Sequence, residues 1–162
     1  MIVYFLRHAE SVWNVHERQS ELTSSVRCVC LQCELCLQWI DCGLSEQGRE
    51  QASQLIGSYG TVILSPLRRA RETLECSQIT YDTLVVSDLV REHRVDPCDW
   101  MIGENNCTSE TDDQLMARGD EFLNHLKTAG YREPILVISH CDFIHSLSGE
   151  SPQNAERIHL SI

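Results

Sequence analysis

Two histidines stand at the ends of apolar, β-branched runs. His8 follows Ile2–Leu6 and Arg7, and His140 follows Ile135–Ile138 and Ser139. Arginines accompany them: Arg7 adjoins the first histidine, and Arg68, Arg69 and Arg71 come just after Ser65-Pro66, which itself follows the apolar run Val62–Leu64. Singly these are weak signals, since a histidine at a strand end is more often structural and an arginine pair at a helix start is usually a solvated face. Together they point to phosphoryl transfer through a histidine. A neutral imidazole attacks phosphorus in line, and guanidinium groups stabilise the negative charge that spreads over the transferring group. A carboxylic acid held protonated then supplies the proton for the leaving oxygen.

Elements that alternate between strand and helix must hold these groups together. The three apolar runs are short and nearly continuous, as strands covered on both faces are. Ser45 reads as the N-cap of a helix to about Ile56, ending before Gly57, and Ser65-Pro66 reads as the cap and first residue of another, to about Cys76. Thr111 and Gln114 fit a capping box, followed by Leu115, Phe122 and Leu126 at helical spacing up to Gly130. A weaker strand is expected near Thr83–Val86 and a closing strand at Ile158–Ile162. The pattern predicts one α/β domain over residues 1–162, a three-layer α/β/α sandwich with a mostly parallel central sheet. In such sheets sites form where strands end and helices begin, which gathers Arg7-His8, Ser65 to Arg69, Glu92 and Ser139-His140.

Composition narrows the partners. Twenty-four acidic residues against 13 basic ones leave a net charge of −11. No broad positive field is present to bind nucleic acid or an anionic membrane surface, so an anionic ligand must be held by a local arginine cluster. No stretch has the length of a membrane span, and the N-terminal apolar run lacks the flanks of a signal peptide. The nine cysteines are odd in number and sit in a chain large enough to need no disulfide framework. The expectation is an intracellular, cytoplasmic protein with mostly free thiols.

These residues also resemble a known family, the histidine phosphatase superfamily with its phosphoglycerate-mutase-like fold. The family's Arg-His-Gly-Glu-Ser/Thr signature is similar to Arg7-His8-Ala9-Glu10-Ser11, with its asparagine at Asn14. Its Leu-Thr-x-x-Gly-x-x-Gln-Ala helix start resembles Leu44 to Ala52, and its Ser-Pro-Leu-x-Arg-Ala-x-x-Thr segment resembles Ser65 to Thr73, which selects Arg69 over Arg68. Its Leu-x-Glu segment matches Val90-Arg91-Glu92, and its second histidine is His140. The resemblance covers most of the chain, fits least between Val15 and Ile40, and leans to the phosphatase-like members.

The resemblance implies that His8 is the nucleophile that becomes phosphorylated and that Glu92 is the proton donor. It places Arg7, Arg69 and His140 in a phosphate pocket, with Asn14 and Ser11 as further contacts and backbone amides after His140 reaching phosphate oxygens. No metal or other cofactor is implied, because arginines and histidines supply the positive charge. The substrate is a phosphorylated small molecule or phosphoprotein. A mutase must shield its phosphohistidine from water, and the segments from Glu92 to His140 and beyond are short, so hydrolysis is favoured. The alternatives are a phosphoglycerate-mutase-type phosphomutase and a non-catalytic descendant that binds phosphorylated ligands.

Three departures from the family pattern carry expectations. Ala9 replaces a glycine, which costs little where φ stays negative. Cys141-Asp142 replaces Gly-Gly, and the added carboxylate makes an amine-bearing substrate conceivable. Cys28, Cys30, Cys33 and Cys36 form a cysteine-rich insertion at about residues 20–40. Their spacing is compressed for a zinc site, so packing is the better expectation, with reversible oxidation as a further one. The insertion is expected to govern substrate choice, with Trp39 as a stacking face.

Overall fold

The computed structural model describes residues 1–23, 37–104 and 108–162. Cys28, Cys30, Cys33 and Cys36 lie outside the described residues, and with them the expectations for that cluster. A five-stranded sheet forms from β1 (Ile2–Arg7), β2 (Ile56–Leu64), β3 (Gln78–Val86), β4 (Ile135–Ser139) and β5 (Arg157–Ser161), in the order β3-β2-β4-β1-β5. All neighbours are parallel except β5, which runs antiparallel to β1. The helices are α1 (Val12–Thr23), α2 (Glu46–Ser53), α3 (Arg68–Cys76), α4 (Asp112–Thr128) and α5 (Cys141–Ser148).

Side chains alternate across the strands, and each sheet face has its own apolar layer. Val3, Phe5, Ile63, Ile135 and Val137 pack with Leu115, Phe122 and Leu126 of α4 and Phe143 and Ile144 of α5. Leu6, Val62, Leu64, Leu136 and Ile138 pack with Ala70 and Leu74 of α3. This is the expected three-layer arrangement, and burial on both faces explains the unbroken apolar runs of β1 and β4.

Two element boundaries differ from expectation. β2 starts at Ile56, not Val62, and α2 stops at Ser53. The early half of β2 pairs only with β3 at the sheet edge, since its pairing with β4 begins at Thr61, and it carries a glycine-containing sequence without a continuous apolar run. Edge strand β3 is exposed over most of its length for the same reason, and only its apolar end was legible. α3 begins at Arg68 with Leu67 as its cap residue, so Ser65-Pro66 lies before the helix. α1 and α5 have no counterpart in the sequence expectations.

The cap of α2 is as expected, with Ser45 accepting from the Gly48 amide. Gly48 allows this helix to lie directly on the backbone after His8: a Cβ there would stand 1.9 Å from the Glu10 carbonyl oxygen. Gly48→Ala is therefore expected to lower stability by roughly 1–3 kcal/mol, the usual range for overpacking. Urea unfolding monitored by circular dichroism checks it; an unchanged midpoint would show that this contact carries no packing constraint.

Candidate active site

Parallel pairing sets the site. Arg7 on β1 lies opposite Ser139 on β4, so the next residues, His8 and His140, leave the sheet side by side. Their ring centroids are 5.1 Å apart and both rings are buried. His8 Nδ1 lies 2.7 Å from the Ala9 carbonyl oxygen. A carbonyl only accepts, so Nδ1 carries the proton and Nε2 keeps its lone pair. Arg69 Nε donates to that Nε2 at 3.3 Å. Burial, then the Arg69 charge, lowers the His8 pKa well below the ordinary histidine value, and the same two causes act on His140. Both rings are neutral at physiological pH.

Arg69 is the one member of its arginine group that enters the site. Arg68 turns to Glu72 at 2.7 Å and Arg71 lies 4.0 Å from Asp41 at the surface. The buried Arg69 guanidinium donates to the Cys98 carbonyl at 2.6 Å and to Asp99 Oδ1 at 2.9 Å. Arg7 donates to the Pro152 carbonyl at 2.8 Å, while its buried Nε has no protein partner. Asn14 Oδ1 accepts from Ser11 and from Asn154 Nδ2, which turns the Asn14 amide nitrogen away from these contacts. Ser65 was expected to cap a helix; its hydroxyl instead lies 2.7 Å from His140 Nε2, and His140 Nδ1 is buried without a partner.

Glu92 sits at the entrance of α5. Its Oε1 accepts from the amides of His93, Asp142 and Phe143 at 2.9, 3.1 and 3.1 Å. The amides of Asp142 and Phe143 in the first turn of α5, expected to reach phosphate, are thus held by the Glu92 carboxyl oxygen. Burial, then the nearby Asp99 and Asp142 charges, pushes the Glu92 pKa up to about 8. Glu92 thus holds its proton through neutral pH, in the same cleft as His8.

Arg7, His8, Asn14, Arg69, Glu92 and Asp142 line one cleft of about 190 Å³. Ser11 also lines it, but its hydroxyl is engaged by Asn14, so it positions Asn14. His140 packs against His8 and does not line this cleft itself. Glu10 is held by Arg18 at 2.5 Å and Ser45 at 2.6 Å, outside the cleft. Trp39 stacks on His16 at 4.3 Å and meets Trp13 edge-on, so it packs within an aromatic cluster and is no free stacking face. Ala9 is not among the residues with positive φ and is fully buried, so the missing glycine is tolerated. Among the described residues, no three His, Cys, Asp or Glu side chains converge as a metal ion would require.

Sequence reasoning missed the supports. Asp99 anchors Arg69 from 30 residues away. Arg118 of α4 donates to the carbonyls of Leu89, Arg91 and Glu92, and it pairs with buried Glu110, fixing the loop that carries Glu92. Thr73 bridges the Ala9 amide and the Arg69 carbonyl. Only Thr73 had a sequence signal, its place in the Ser65–Thr73 segment.

Fold and site together define a three-layer α/β domain with two adjacent histidines at the carboxyl ends of its parallel strands and two arginines lining the cleft beside them. The chain belongs to the histidine phosphatase superfamily: the profile of branch 1 of that superfamily matches residues 32–160. Arg69, Glu92 and His140 fall within the matched stretch, and pairing of β1 with β4 brings Arg7 and His8 to them. Among solved structures the chain is similar to the α-ribazole phosphatase of Shigella flexneri, at 17% identity and TM-score 0.69, covering 100% of this chain and 91% of that one. It is also similar to a phosphoserine phosphatase of Entamoeba histolytica, at 16% identity and TM-score 0.60, covering 98% and 89%. A mycobacterial glucosyl-3-phosphoglycerate phosphatase solved with VO3 gives 20% identity and TM-score 0.57, covering 99% and 90%. No match was found among curated protein sequences. Among the described residues, no helix is long and apolar enough to cross a membrane.

Proposed function

We propose that this protein hydrolyses phosphomonoesters, of small molecules or phosphoproteins, through a phosphohistidine on His8. The observation that carries the reading is the His8 ring, held neutral with its Nε2 lone pair beside the Arg69 guanidinium. In this reading Nε2 attacks phosphorus in line while Arg7, Arg69 and the Asn14 amide bind the phosphoryl oxygens. The leaving oxygen takes its proton from Glu92, whose raised pKa supports that role. Glu92, now a carboxylate, then accepts a proton from the water that attacks the phosphohistidine, which restores both groups. His140, buried against His8, orients that ring and adds to the polarity of the pocket.

Hydrolysis is favoured over mutase chemistry by the phosphatase neighbours, and retention of His8 and both arginines argues against a non-catalytic descendant. The unpaired thiols of Cys42, Cys76, Cys98 and Cys141 support a reducing, cytoplasmic setting. No metal has a part in these steps. Rapid quench with ³²P-labelled substrate in EDTA should trap an acid-labile, base-stable adduct, and peptide mapping should place it on His8. Turnover without such an adduct, or turnover restored only by added metal, would refute the mechanism.

A further inference from the structure

Cys42 and Cys98 meet beside the cleft although 56 residues separate them. Both are buried, both are free, and their side chains pack in one cluster with Trp13 and Trp39. Cys42 packs against Trp13 in the first turn of α1. Cys98 forms part of the cleft wall, and Cys42 packs in the same cluster as Cys98. The Cys98 carbonyl holds Arg69, and its thiol lies 3.4 Å from Asp99 Oδ1, the other anchor of the same guanidinium. None of the phosphate chemistry requires a thiol at either position.

We propose that Cys42 and Cys98 are a redox modification site: a hydroperoxide joins them in a disulfide, and the bond disables the phosphate pocket by shifting Arg69. The disulfide stands independently of the proposed function; the loss of activity rests on it. The environments assign the roles. The adjacent Cys98 side chain, then the Arg69 charge and the Trp13 backbone, bring the Cys42 pKa down to about 7 despite burial. Burial raises the Cys98 pKa well above the ordinary thiol value, so Cys98 stays protonated. Cys42 is therefore the thiolate that attacks and Cys98 the thiol that resolves.

In the first step the Cys42 sulfur bonds to one peroxide oxygen as the O–O bond breaks, and the departing hydroxide takes a proton to leave as water. Cys42 becomes a sulfenic acid. The Cys98 sulfur then attacks the Cys42 sulfur, the S–O bond breaks, and the hydroxyl leaves as water with the Cys98 proton. Two thiols are oxidised by two electrons in all, and one hydrogen peroxide is reduced to two waters. The two packed sulfurs must close to about 2.05 Å to form the bond. Because the Cys98 carbonyl is a direct ligand of Arg69, that movement displaces the guanidinium from His8.

The test uses the full-length wild-type protein, reduced, desalted and exposed to one equivalent of hydrogen peroxide. Alkylation under denaturing conditions precedes digestion before aspartate and after arginine. Cleavage before Asp41 and after Arg49 isolates Cys42 from every other cysteine. The expected result is an Asp41–Arg49 peptide linked to the peptide carrying Cys98. Turnover should fall by about 10²-fold, the scale of a misplaced catalytic group, and dithiothreitol should reverse both changes. Cys42→Ala, compared with its own untreated activity, should be insensitive to peroxide. Orthovanadate binding, followed through tryptophan fluorescence, gives the same comparison without turnover. Cys42 and Cys98 recovered as separately alkylated peptides would overturn the site, and a linked pair with undiminished activity and vanadate binding would overturn its effect. A protein that turns over no ester yet forms the link would refute the proposed function while leaving the site in place.

Discussion

Replacing His8 by alanine should lower kcat for every phosphomonoester by roughly 10⁴-fold or more, the scale seen when a covalent nucleophile is removed. Substrate affinity should change far less, because Arg7, Arg69 and Asn14 remain along the cleft. The split between kcat and KM is informative. A merely structural role for His8 would disturb both, since its ring packs against His140 and accepts from Arg69. Steady-state kinetics on a purified, cooperatively unfolding variant decides the matter. Near-normal turnover would sink the phosphohistidine route.

Replacing Glu92 by glutamine should slow esters with poor leaving groups by about 10²-fold or more, within the usual range for acid–base catalysis. Activated aryl phosphates should suffer less, because their leaving groups need no proton. The wild-type kcat on poor leaving groups should decline as pH rises through about 8, where the acid loses its proton. In Glu92→Gln that decline should vanish. Stability gives a second readout with a definite sign. The folded carboxyl retains its proton up to about 8, whereas the unfolded chain releases it near 4.5. The folded state therefore binds more protons between those values, and this group makes folding less favourable as pH rises across that window. The glutamine variant should lack this contribution, so urea unfolding at pH 5 and pH 8 should differ less than in the wild type. Equal slowing of both ester classes, with the alkaline limb intact, would move the acid to another residue.

The loop that presents Glu92 shows how the fold supports the chemistry. Arg118 ties three of its carbonyls to α4, so the acid is placed by a helix on the far side of the loop. Arg91, beside it, is bonded to Glu104 at 2.6 and 2.9 Å. These contacts hold the carboxyl in the position where burial and its neighbours keep it protonated.

What the sequence by itself determined are the features written over a few adjacent residues. The doubly buried strands β1 and β4 show as unbroken apolar runs, because both of their faces are covered. The caps at Ser45 and Thr111 show because each is a bond between residues three apart. Arg7, His8 and His140 were legible because chemistry-bearing side chains at the ends of such strands fall at the sheet's carboxyl edge, and Arg69 was picked out from Arg68 by the family segment Ser65 to Thr73. What only the tertiary structure decided depends on groups distant in the chain. Edge pairing made residues 56–61 a strand, although glycines at 57 and 60 break up its few apolar residues. Ser65 looked like a helix cap, but the His140 ring, 75 residues away, engages its hydroxyl. Trp39 is packed by His16 and Trp13, Asp99 anchors Arg69, and Cys42 meets Cys98, through contacts that no local pattern encodes. Protonation belongs to this second group as well. A carboxyl or thiol acquires its working pKa from the burial and the charges that folding brings around it, and those fields exist only once the sheet has assembled.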